Sequence, residues 1–256
     1  MRRLQSVSIG IVTAVLGFGL AAPGAAQEGA KPAAAAGKKE QPASSADPRD
    51  FDGVWWTPGY DRKFRPVEGG LPPFTERGRR EWQYNVDADK AGRPVADAPT
   101  GCLPHGIPRL LASPYPIQII TTPGLMTWVH EVNRNQRWIY MDEPQDLNLP
   151  KSYLGHSVAH WEGDTLVIDT ADLNDKTRID EEGINHTDQL RVVERIKKID
   201  GGTALESLIT ITDPVMFTKP WTTKRIYKWR PDVRVEEYAC EENNRNAPED
   251  GVTRAK

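Results

Sequence analysis

Two alternating apolar runs, residues 157–161 and 165–170, flank the dipeptide Gly163-Asp164. Strands of period two joined by a Gly-containing two-residue turn define a β-hairpin. The pattern recurs along the chain. Residues 117–122 lead into Pro123-Gly124, 125–132 into Asn133-Arg134-Asn135-Gln136, and 137–141 return. Residues 190–199 turn at Asp200-Gly201-Gly202 and return as 204–212. Residues 221–229 turn at Arg230-Pro231-Asp232 and return as 233–240. A succession of hairpins with almost no helix must hide its sheet edges, and closing into a barrel is the simplest way. The expectation is an all-β, antiparallel barrel of about 8–10 strands, with a two-sheet β-sandwich as the alternative.

The folded domain is expected to span residues 51–242. Residues 57–116 form a Pro- and Gly-rich N-terminal arm with one short helix candidate at 76–84. Ahead of it, residues 1–26 have the form of a cleaved signal peptide. Arg2 and Arg3 precede a short apolar run, and Gly24-Ala25-Ala26 offers small residues for cleavage. That run is shorter than the ~20 residues a bilayer span needs, so no transmembrane segment is expected after cleavage. Residues 27–50 are Ala-, Pro-, Lys- and Ser-rich and read as a disordered linker, and residues 243–256 as a disordered tail. The expected location is the periplasm or the exterior.

Cys102 and Cys240 are the only cysteines. In an exported chain an isolated pair is most simply a disulfide. The chain carries 33 Lys and Arg against 36 Asp and Glu; losing Arg2 and Arg3 takes the net charge from -3 to -5. This mild, mixed balance gives no basic stripe for nucleic acid.

Strand alternation locates the chemistry-bearing residues. Glu194 shares the more apolar face of its strand with Leu190, Val192 and Ile196, so it should point inward, with Arg225 as a possible partner. Arg225 shares a face with Trp221, Tyr227 and Trp229. In the 157–170 hairpin, a two-residue turn pairs Glu162 with Thr165 and Val158 with Asp169, placing His156, His160 and Asp169 on one face. On a strand His156 and His160 lie about 13 Å apart, too far to share one metal ion. His186 sits in a loop, and His130 lies on an aromatic strand. No nucleophile elbow, phosphate loop, zinc-protease helix or dinucleotide fingerprint is present, and no metal or cofactor is expected.

Gly53-Val54-Trp55 resembles the Gly-x-Trp of lipocalin-like barrels. Gly155-His156-Ser157, Trp161-Glu162-Gly163-Asp164-Thr165-Leu166-Val167 and Asp169-Thr170 resemble a motif of a large, uncharacterised family of exported bacterial proteins. Asn174-Asp175, His186, Glu194-Arg195, Asp213-Pro214, Lys219-Pro220-Trp221 and Glu237-Tyr238-Ala239-Cys240 extend the likeness. It implies export and supplies no reaction. It sets His156 and His186 ahead of His160.

Three functions remain open. The first is a barrel binding a small, largely apolar or aromatic molecule in its interior, through Tyr140, Arg225, Tyr227, Trp221 and His130. The second is an acid/base enzyme (lyase, isomerase or hydrolase) using His156, His186, Glu194 and Asp169. The third is a structural envelope protein without a pocket.

Overall fold

The computed structural model describes residues 44–240 except 60, 62 and 147. The expected signal peptide, most of the linker and the tail lie outside the described residues. Nine strands close into one barrel in sequence order: β1 (Gly53–Trp56), β2 (Ile117–Thr122), β3 (Leu125–His130), β4 (Gln136–Met141), β5 (His156–Glu162), β6 (Thr165–Ala171), β7 (Arg191–Ile199), β8 (Ala204–Thr212) and β9 (Trp221–Trp229). β1 pairs with both β2 and β9, which removes every free edge.

The expected all-antiparallel meander needs one correction. β4 and β5 run parallel, with Ile139 opposite Ser157. Their connection is a crossover over residues 142–155, the length a parallel pair requires. Closure demands this. Around a ring, strand direction must reverse an even number of times, so a nine-strand barrel cannot be antiparallel throughout. One parallel seam restores the parity, and it falls where a long Pro-containing connection replaces a tight turn.

The hairpin at Gly163 has the expected register, with Glu162 opposite Thr165 and Val158 opposite Asp169. Gly163 turns at φ +58°. Residues 233–240 do not form the expected final strand; the position beside β9 is taken by β1. Gly53 explains that fit. Its φ is +124°, and a Cβ there would lie 2.2 Å from the Trp229 ring. Trp55 and Trp229 can then pack edge to face at 5.1 Å, and Trp55 Nε1 donates to the Phe51 carbonyl at 2.7 Å.

The arm is packed against the barrel. Ile107, Leu110 and Leu111 are fully buried, and Tyr227 from β9 donates its hydroxyl to the Leu111 carbonyl at 2.7 Å. The helix in the arm, α1 (Glu76–Lys90), runs well past the 76–84 expected. Thr75 caps its N-terminus, accepting from the Gly78 amide at 3.1 Å while donating to the Val215 carbonyl at 2.7 Å. Residues 44–50 dock on β7, where Lys198 donates to the carbonyls of Ser45 and Asp47. Cys102 and Cys240 are disulfide-bonded, tying the arm to the segment after β9. Among the described residues, no helix is long and apolar enough to cross a membrane.

Candidate functional site

The pleat sends one set of side chains inward on every strand. Trp128 from β3, Arg137 and Ile139 from β4, Ile168 from β6, Ile196 from β7, Ile209 from β8 and Tyr227 from β9 are all buried there. Glu194 joins them, as its strand alternation requires. Its partner is Arg137 rather than Arg225. Arg137 Nη2 donates to Glu194 Oε1 at 2.6 Å and to Thr170 Oγ1 at 2.8 Å, and Nε donates to Ser157 Oγ at 3.2 Å. The guanidinium also lies over the Trp128 ring at 5.5 Å. Four strands thus meet on one ion pair that water does not reach.

Arg225 turns to the N-terminal arm instead. It donates to the Lys63 carbonyl at 2.6 Å and covers Phe64 at 4.3 Å. Burial lowers its pKa, opposed chiefly by Asp61. Trp221 packs edge to face on Phe217 at 5.4 Å. Burial raises the Tyr227 hydroxyl above its usual value. His130 is buried with neither ring nitrogen hydrogen-bonded, and burial drives its pKa down to about 3. Its neighbour His105 is driven down to about 4 by the same cause.

Two of the depressions among the described residues carry histidines considered for chemistry. One, of about 380 Å³, follows the parallel seam and is walled by Trp138, Tyr140, Tyr153, Leu154 and His156. The crossover creates it. Residues 152–156 line it together with Asn135 and Arg137, and the Tyr153 carbonyl accepts from the Ile107 amide at 3.1 Å. Tyr140 and His156 lie on adjacent strands with ring centroids 5.3 Å apart. His156 Nδ1 is buried and has no hydrogen-bond partner, while Trp138 is 56 % exposed.

The second depression, of about 330 Å³, lies beside α1 and is lined by Arg77, Asn85, Thr177, Arg178, Asn185 and His186. His186 is buried; its Nδ1 is 3.0 Å from the Thr187 carbonyl and its Nε2 3.0 Å from Thr177 Oγ1. Burial lowers its pKa.

The four residues considered for acid/base chemistry are therefore dispersed. Glu194 is inside the barrel and His156 at the seam. His186 lines the depression beside α1. Asp169 is on the outer wall, clamped by two Arg191 nitrogens, Nε at 2.8 Å and Nη2. His160 is exposed and pairs with Glu162. Among the described residues, no group of three or more His, Cys, Asp or Glu side chains is placed to hold a metal ion.

Sequence reasoning missed Arg137 and Thr177. Arg137 carried a usable signal, since it shares inward parity with Ile139. Thr177 lies in an irregular loop and carried none. No protein-family model matches the chain, and no curated protein matches it significantly. The class defined by the coordinates is a closed, mixed nine-stranded β-barrel.

Proposed function

We propose that this is an exported barrel protein that binds a small, largely apolar or aromatic molecule in the depression along the β4–β5 seam. The carrying observation is the aromatic wall of Trp138, Tyr140, Tyr153 and His156 around about 380 Å³. That volume falls within the roughly 300–1,000 Å³ of small-molecule sites, which combine apolar walls with a few polar groups. The unpartnered His156 Nδ1 supplies one such group. The interior, by contrast, is occupied by packed side chains around Arg137 and Glu194. Export is supported by the basic and apolar pattern of residues 1–26, by the Cys102–Cys240 disulfide and by the likeness to exported bacterial proteins.

The test is a fluorescence titration of the purified protein with indole, 1-naphthol and benzoate, with native mass spectrometry for any co-purified compound. Binding should change Trp138 emission. Tyr140→Ala or His156→Ala should weaken it about tenfold or more, the effect of losing one aromatic contact of about 1.4 kcal/mol. Saturable binding unaffected by either substitution, or no binding of any probe and no retained compound, would overturn the proposal.

A further inference from the structure

The depression beside α1 holds a hydroxyl–imidazole pair that ligand binding at the seam does not use. A carbonyl oxygen only accepts, so His186 Nδ1 carries the proton in its 3.0 Å bond to Thr187. In the neutral ring Nε2 then presents a lone pair, and Thr177 Oγ1, 3.0 Å away, is the donor. Thr187 is itself held. Its amide donates to Asp213 Oδ2 at 2.6 Å, and its hydroxyl lies 3.1 Å from both carboxylate oxygens. Asp213 is fixed in turn by the amides of Val215 and Met216 at 3.0 and 3.2 Å. The series runs from hydroxyl to base to an anchored orienting group, the arrangement that activates a side-chain nucleophile. Burial lowers the imidazole pKa and so favours the neutral ring, while the Thr187 hydrogen bond, Asp213 and Asp175 act in the opposite sense. Arg77, Glu81, Asp97, Lys176 and Arg178 are the other charged groups around the depression.

We propose that Thr177 is a nucleophile for acyl transfer from small, polar esters, with His186 as its general base. Thr177 Oγ attacks the acyl carbonyl carbon as its proton passes to His186 Nε2. Collapse of the tetrahedral intermediate breaks the acyl–oxygen bond, and the proton on Nε2 goes to the departing alcohol. Water then attacks the acyl-threonine by the same proton route, releasing the carboxylic acid and restoring Thr177. The polar lining selects short, polar acyl groups over long aliphatic ones. Arg178, anchored through Nη2 to the carbonyls of Val95 and Ala96, lines the depression and brings positive charge to it.

The test is incubation of the full-length protein with p-nitrophenyl acetate, followed by peptide mass spectrometry and nitrophenolate release. The expected result is an acetyl group on Thr177. His186→Gln should slow its formation about 100-fold or more, the contribution of a positioned base. Thr177→Ser should retain acylation and Thr177→Val abolish it, with thermal unfolding establishing that both fold. The Ser/Val comparison decides the matter even if His186→Gln does not fold. Acetylation confined to lysines, no acetylation at Thr177, or an equal rate in a folded His186→Gln protein would overturn it. Tyr140 and His156 take no part, so neither proposal depends on the other.

Discussion

At the scale of single residues, the decisive group is Arg137. A buried guanidinium needs a compensating charge, and Glu194 provides it at 2.6 Å, with Thr170 and Ser157 accepting from Nη2 and Nε while Nη1 has no partner. Glu194→Ala should cost about 3–5 kcal/mol in urea unfolding, because it strands a buried cation. The double variant Arg137→Met, Glu194→Leu should recover most of that loss. A second residue-scale consequence concerns acid. His105 and His130 stay neutral in the fold down to about 4 and 3, whereas in the unfolded chain they protonate near 6.5. Below pH 6.5 the unfolded state therefore binds more protons, and stability falls by up to about 1.4 kcal/mol per pH unit for each histidine. Wild type should lose stability relative to His130→Leu as pH is lowered from 6.5 to 4. A pH-independent difference in denaturant midpoint would contradict this.

At the scale of elements, what could be read depended on how local the determining physics was. The Gly163 hairpin was legible to the exact register because its turn and its period-two pattern lie within sixteen residues of sequence. The inward turn of Glu194 was legible for the same reason. Its partner was not, since Arg137 comes from a strand 57 residues away and only barrel closure brings the two together. The parallel seam was hidden because no short pattern records the direction in which a strand re-enters. Residues 233–240 alternate well enough for a strand, yet β1 occupies the pairing edge they would have needed. The aromatic wall of Tyr140 and His156 depends on that hidden seam, so the depression was beyond local reasoning. Helix α1 ran longer than expected at its C-terminal end, where Asn85 is buried and donates to the Gly183 carbonyl and to Asn185 Oδ1; at its N-terminus Thr75 holds both the Gly78 amide and the Val215 carbonyl. Thr75→Ala should therefore cost about 1–2 kcal/mol by thermal unfolding, at the upper end for a cap.

At the scale of the whole molecule, the Cys102–Cys240 bridge spans 138 residues of sequence and encloses β2 to β9. In the chain-entropy model a loop of this length is worth about 5 kcal/mol. Reduction, or Cys102→Ser with Cys240→Ser, should lower the unfolding midpoint substantially while leaving the barrel's far-UV signature intact below it. An unchanged midpoint would mean that the reduced chain is already constrained. The way β1 closes the ring has a further consequence, in the order of synthesis. The first strand to emerge from a ribosome finds its second neighbour only when the last strand has been made, and Cys102 waits as long for Cys240. A partly made chain holds neither the closed wall nor the bridge. Folding to completion is deferred until the whole polypeptide is free, a timing compatible with the export proposed above.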